Sequence, residues 1–296
     1  MTPFGSEIVF KEVETALAEK RGSLLGRFGT IECETLYCLK MQPGAVNEHQ
    51  RGILERNAGV FPSDPASVRM WAERTRQAFQ SADVLATGWY APMVKMEKEL
   101  LEGWDCSGAK HVSLRALEPY YVTEKQGRWT SLLAGRRVCV VTSFADTIAR
   151  QVQKGEEAIW PDASGSLWAP GVSWSFVQTG YAPVLACGRA GWEDSPETWE
   201  QAVTGVVNEV DRVGAEIVLI GCGGLGMVIG GLLKKRGKIC IVMGGAVQVL
   251  FGVKGERWRN HSVIGSFWNA EWSWPSAAET PAAAVEVESG CYWRRA

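Results

Sequence analysis

Histidine is scarce. Only His49, His111 and His261 occur in 296 residues, in unrelated settings. A metal centre built on imidazoles and a Ser-His-Asp hydrolase are therefore poor expectations. None of the eight cysteines, at positions 33, 38, 106, 139, 187, 222, 240 and 291, stands in a Cys-x-x-Cys pair. That argues against a zinc or dithiol redox site. Cys139, Cys187, Cys222 and Cys240 sit in or beside apolar runs, where a thiol behaves as a small hydrophobe. No basic excess is present either: 31 Lys and Arg face 33 Asp and Glu, for a net charge of −2. No nucleic-acid partner is expected. The apolar runs break at Gly, Lys or Arg before the roughly 18 residues a membrane-spanning helix needs. The opening residues Met1–Glu7 lack the basic-then-apolar pattern of a secretion signal. All eight cysteines are thus expected as reduced thiols in a cytoplasmic protein. No internal repeat or low-complexity segment occurs.

Two residue types are abundant. The chain has 14 Trp and 33 Gly. Scattered Trp fills cores, and it also suits a surface that holds the C–H face of a sugar. With 46% hydrophobic and 22% charged residues the composition is globular. At about 150 residues per domain, the length fits one large domain or two small ones.

Helical spacing of apolar residues predicts helices over 7–20, 31–40, 47–57, 66–82, 93–101, 196–213 and 225–236. Short β-branched or apolar runs predict strands at 23–28, 84–86, 111–114, 137–142, 183–187, 216–220 and 238–243. A further helix runs from a cap at Ser143 or Asp146 to about 153. Residues 155–180, rich in Gly, Pro, Ser and Trp, read as an irregular loop. Strands alternating with helices imply a Rossmann-like α/β fold, a mostly parallel sheet with helices on both faces. The expected organisation is one domain over 1–265. A tail over 266–296 is expected to pack on it, since Cys291-Tyr292-Trp293 would be costly to leave in water.

Four constellations carry candidate chemistry. Gly221-Cys222-Gly223-Gly224-Leu225-Gly226 is a GxGxxG turn between a strand and a helix. Such glycines let backbone approach a diphosphate at a helix N-terminus, or simply let helix and strand pack closely. A Rossmann NAD site also wants an acid at the end of the next strand. Here that strand ends in Met243-Gly244-Gly245, so a nucleotide cradle without NAD is expected. The second constellation is Arg27-Phe28-Gly29-Thr30-Ile31-Glu32-Cys33-Glu34, at a strand's carboxyl end. Glu32 and Glu34 face different ways on a helix, and Glu32 is the better candidate for a cleft. It can serve as a general base or as a ligand to Mg²⁺ or Mn²⁺. Arg27 and the helix N-terminus should keep it ionised. Third, Gly244, Gly245, Gln248, Lys254, Arg257 and Trp258 follow another strand end, with the two cations suited to phosphate. Fourth, Ser143, Phe144, Thr147 and Gln151 follow Thr142 and can grip a ribose, phosphate or sugar hydroxyl. Capping explains Ser143 and Asp146 equally well. Glu118 and Tyr120 lie in the loop after the strand at 111–114, Tyr120 as a ring for sugar stacking.

Arg-Phe-Gly followed by Glu32 resembles the N-terminal signature of GT-D-fold glycosyltransferases, which reads Arg-(Phe/Tyr)-Gly-Asp-Gly-Glu. Thr30 stands where that signature has Asp. The strand–Gly turn–helix–strand unit at 216–258 and the closing Gly-Cys-Tyr-Trp are similar to sugar-transfer proteins of polysaccharide and viral glycan loci. The resemblance implies transfer of a sugar from a nucleotide-sugar donor to a glycan acceptor, with Mn²⁺ or Mg²⁺ as a possible cofactor held through Glu32. Catalysis would rest on Glu32 and Arg27. Two rivals are a methyltransferase using S-adenosylmethionine at the same glycine turn, and a non-catalytic nucleotide- or carbohydrate-binding protein.

Overall fold

The structure, a computed structural model, describes residues 3–42, 46–123, 127–162, 167–185 and 188–294. Seven strands form one sheet: β1 (Ser23–Arg27), β2 (Val84–Ala86), β3 (Lys110–Val112), β4 (Arg137–Thr142), β5 (Ser173–Gln178), β6 (Ile217–Gly221) and β7 (Ile239–Val242). Their order is β3-β2-β1-β7-β6-β4-β5, and every pairing is parallel. In β1, Leu25 pairs with Val84 on one side and Ile241 on the other. A parallel sheet needs cover on both faces, which explains why the central strands are continuous apolar runs.

The helices of ten or more residues among those described are α1 (Ser6–Glu19), α2 (Thr30–Met41), α3 (Glu48–Ala58), α4 (Pro65–Gln80), α5 (Val94–Gly103), α6 (Ala145–Lys154), α7 (Trp199–Arg212) and α8 (Gly226–Lys235). Their starts follow local chemistry. Asn47 and Gln50 form a reciprocal capping box for α3, and Asp64 caps α4 ahead of Pro65. Helices α2, α3, α4, α5, α7 and α8 bury Leu36, Leu54, Trp71, Leu100, Val206 and Ile229 against one face of the sheet. The other face, with Leu25, Val140 and Leu219, is covered by α1, α6 and the C-terminal segment through Val13, Ile148, Trp272 and Trp293.

Three expectations fail here. Neither Ser143 nor Asp146 caps α6, whose N-cap is Phe144 with no side-chain hydrogen bond to the helix start. The predicted strand at 183–187 is a 3₁₀ turn, Pro183–Leu185, and Cys187 lies outside the described residues. The fifth strand comes instead from the stretch read as a loop. Ser173–Gln178 alternates Ser with Trp174 and Phe176, and it pairs along its whole length with β4. Trp174 meets Phe251 edge-on at 5.2 Å. The alternation is too short to outweigh the Gly, Pro and Ser around it. Pro183 has no N–H to give a ladder. Seven cysteines, 33, 38, 106, 139, 222, 240 and 291, are free thiols. No helix among the described residues is long and apolar enough to cross a membrane.

Residues 266–294 form turns that lie on the domain. The indole of Trp293 is buried and donates to the Glu279 carbonyl at 3.1 Å. The Glu279 carboxylate is itself buried. It accepts from the Thr147 N–H at 2.9 Å, the Ser276 hydroxyl at 2.8 Å and the Thr147 hydroxyl.

Candidate functional site

In an open α/β sheet, ligands bind beyond the carboxyl ends of the strands, where neighbouring chain segments leave for opposite faces. That happens on both sides of β7 and again between β6 and β4. From β1 the chain passes to α2 on one face, while after β7 the turn Ala246–Leu250 packs on the other. From β6 it passes to α8, while neighbouring β4 feeds α6 on the opposite face. Over this edge lies a cavity of about 200 Å³. The ends of β1, β4, β5, β6 and β7 all contribute to it.

The first helical turn after β1 supplies the carboxylate. Glu32 folds back so that a Cβ on Gly29 would sit 2.0 Å from its Oε2. Its Cγ is 3.4 Å from the corresponding position on Gly224. The carboxylate is thus wedged between the Arg-Phe-Gly turn and the glycine turn. Glu34 is exposed. Burial pushes the Glu32 carboxyl above its ordinary value and Glu288 adds to this, while its own N–H and Arg27 pull it down. Ionisation is therefore held less firmly than the neighbouring cation alone implies, because desolvation leads.

Arg27 turns its Nη1 back to donate to the Phe28 carbonyl at 2.8 Å, and it lies 5.1 Å from the ring centre of Trp89. Its Nη2 rests on Gly244, 2.3 Å from where a Cβ would project. Gly244 also has φ +59°, so the position requires glycine twice over.

Residues 221–225 of the glycine turn line the cavity and Gly226 does not, and the turn's close contacts are with protein. Cβ atoms on Gly223 and Gly224 would fall 3.0 and 3.1 Å from the Ala58 carbonyl oxygen, and Gly224 accepts from the Trp71 indole at 2.9 Å. Gly226 packs under Val242. Close packing against α3 thus accounts for much of this glycine pattern.

Arg257 also lines the cavity, its Nη1 3.6 Å from where a Cβ on Gly245 would project. It pairs with Glu288 at 2.9 Å and lies 3.8 Å from the ring centre of Tyr292. Ser143 accepts from the Tyr181 hydroxyl at 2.8 Å, and Phe144 packs against Tyr292. Four lining side chains have buried polar atoms without hydrogen-bond partners: Thr75 Oγ1, Trp89 Nε1, Trp192 Nε1 and Gln248 Oε1. Buried polar groups are ordinarily paired, so these four stand out among the residues that line the cavity.

Of the sequence candidates, the structure gathers Arg27, Gly29, Thr30, Glu32, Ser143, Phe144, Gly221, Gly223, Gly224, Gly244, Gly245, Gln248 and Arg257 around this cavity. It does not bring the others there. Thr147 is engaged by Glu279, and Gln151 donates to the Gly252 and Glu271 carbonyls. Both tie down the C-terminal segment. Lys254 lies over Trp268 at 5.7 Å, and Trp258 is buried behind Gly245. Tyr120 stacks on Trp160, 6.0 Å away, on the other face of the sheet. Glu118 beside it is pushed up to about 7 by burial, against the pull of Arg27, Arg115 and the Tyr120 hydroxyl. The sequence reading missed Arg56, Asn57, Trp89, Trp192, Glu288 and Tyr292. Only the aromatic cluster at 291–293 hinted at the last.

Among the described residues no three His, Cys, Asp or Glu converge as a metal set. Thr30 offers a hydroxyl where the resembling signature has a carboxylate, and the cavity's second acid, Glu288, is already bound to Arg257. This donor set does not fit a metal held by the protein alone.

No protein-family model matches the chain, and no curated protein matches it. Among solved structures it is similar to one described as the highly conserved domain of unknown function 1792, with a distinct glycosyltransferase fold. The identity is 10% and the TM-score 0.46, over 99% of this chain and 94% of that one. A selenomethionine-substituted structure of domain of unknown function 1792 gives 10% identity and a TM-score of 0.45, over 97% and 90% of the two chains.

Proposed function

We propose that the protein is a glycosyltransferase that moves a sugar from a nucleotide-sugar donor to a glycan acceptor, with the donor in the cavity at the carboxyl edge of the sheet. The observation that carries this reading is the convergence there of one wedged carboxylate, two guanidinium groups and four unpartnered buried polar atoms. In this reading Arg27 and Arg257 stabilise the diphosphate as it leaves, since a guanidinium offers a fork of donors to phosphate oxygens. Glu32 takes the proton of the attacking hydroxyl or orients it, and its upward shift brings it closer to the range useful for a general base. Tyr292 and Trp192 wall the nucleotide. Divalent metal is not needed to neutralise the diphosphate when two arginines face it.

The absence of an acid at the end of β7 disfavours the methyltransferase reading. A thermal-shift panel tests all three. Nucleotide sugars and nucleoside diphosphates should raise the melting temperature with or without Mn²⁺, and S-adenosylmethionine should not. Glu32→Gln should then lower turnover by on the order of a hundredfold while the exposed Glu34→Gln stays near normal. Donor binding with no turnover in the parent protein would leave only a binding protein.

A further inference from the structure

A second cavity of about 360 Å³ opens at the carboxyl end of β2, beside His111 of β3 and the loop that precedes that strand. One loop separates it from the first: Thr87 and Gly88 line the second, and the next residue, Trp89, lines the first. Trp89 carries Arg27 on its face, and the exposed ring of Tyr90 lies 5.8 Å from it.

The walls of the second cavity divide into two kinds. Val94, Leu101 and Cys106 form an apolar side. Beside Val94 and Leu101 on the same helix stand Glu97 and Glu102, with Asp105 just beyond its end, and Lys98 and His111 add to the polar lining. Glu97 is only 2% exposed. Its Oε2 accepts the Gly88 N–H at 2.7 Å, and its Oε1 has no partner. The outer acids are partly occupied: Glu102 faces Lys98 at 3.8 Å, and Asp105 accepts from Ser107 at 2.8 Å. Asp105 holds φ +55°, in the left-handed region.

A ligand for these walls must bring hydrogen-bond donors and an apolar face and must carry no phosphate, which the outer acids Glu102 and Asp105 would repel. A neutral sugar ring satisfies all three conditions. Its hydroxyls donate to carboxyl oxygens and its C–H face covers the aliphatic wall. A simple cation suits the site less. Burial favours the uncharged form of Glu97, and Lys98 stands at the rim.

We infer that this cavity is the acceptor subsite, holding a neutral saccharide across the Trp89 loop from the donor. The inference rests on the glycosyltransferase reading for the acceptor role, but the saccharide site is testable without it. Val94 lies at the rim and is 42% exposed, so Val94→Trp or Val94→Arg should fold and block the opening. Saturation-transfer NMR with methyl glycosides of glucose, galactose and N-acetylglucosamine reads the second cavity, and calorimetry with uridine and guanosine diphosphates reads the first. Each Val94 variant should weaken glycoside binding by about tenfold or more while changing nucleotide affinity by less than about twofold. Glycoside binding unchanged in both variants, or no glycoside bound by the parent protein, would overturn the inference. So would preferential binding of glucosamine, which would make the site one for cations. Glycosides bound at this cavity with no nucleotide bound at the other would sink the donor reading and leave the saccharide site standing.

Discussion

The C-terminal segment lines the cavity proposed for the donor, and Glu288 is where its effect is testable. Its carboxylate holds Arg257 at 2.9 Å, and its N–H donates to Asn57 Oδ1 at 3.1 Å. Glu286 faces Arg56 at 3.8 Å. Glu288 and Ser289 both hold left-handed backbone, φ +44° and +58°, a conformation that costs of order 1 kcal/mol or more each for non-glycine residues. The cavity left beneath is about 200 Å³, below the roughly 300–1,000 Å³ of ordinary ligand sites. A diphosphate reaching Arg257 must therefore take it from Glu288. The side chains of Arg257 and Glu288 are 29% and 34% exposed, so the pair is worth no more than about 1 kcal/mol. Glu288→Gln keeps the volume and removes the competing charge. Calorimetric affinity for a nucleoside diphosphate should rise, by up to about fivefold, the equivalent of 1 kcal/mol. Arg257→Gln should lower it. Weaker binding in Glu288→Gln would refute the argument, because it would make Glu288 part of the donor site and not its rival.

Two further outcomes follow from the cavity walls. Gly29 has φ −85°, which alanine tolerates, yet its Cβ would meet Glu32 Oε2 at 2.0 Å. Gly29→Ala should swing the carboxylate away and reproduce most of the turnover loss of Glu32→Gln, on the order of a hundredfold, with an unchanged circular-dichroism spectrum; normal turnover would show that the wedged position is not needed. Glu118, pushed up to about 7, binds its proton more tightly folded than unfolded. Stability should thus fall as pH rises from the ordinary carboxyl range through about 7 and then level off. Glu118→Gln removes this slope, so the melting temperature of the parent minus that of the variant should decline between about pH 5 and pH 8.

The sheet was legible because burial on both faces leaves a plain mark: Arg137–Thr142, Ile217–Gly221 and Ile239–Val242 are apolar runs that admit little else. The edge strand Ser173–Gln178 was not, since an edge needs only half the burial and its neighbours are turn-formers. Residues at strand ends were readable for the same reason as the strands. Once Arg27, Thr142, Gly221 and Val242 are strand ends, the parallel topology carries the residues after them to one edge. The reach of that logic is short. Lys254, Trp258, Thr147 and Gln151 lie a turn or more further on, and there tertiary contact decides their direction.

Thr147 and Gln151 show what a local reading lacks. A polar pair one helical turn apart, just past a strand end, has the look of a ligand grip. Both are buried because residues more than a hundred positions later come to them: Glu279 to Thr147, Gly252 and Glu271 to Gln151. Their polarity serves internal satisfaction, as buried groups require. The same logic runs in reverse at Thr75, Trp89, Trp192 and Gln248. Of these four only Gln248, beside the Gly244-Gly245 turn, stands out in the sequence, and packing buries each of them with one polar atom unpaired. A donor or acceptor left unmet beside a cavity costs stability, of order 1–3 kcal/mol each. Four residues that line one cavity carry this cost, and a variant that removes one such atom, Thr75→Val, should stabilise the fold, as a melting-temperature measurement would show.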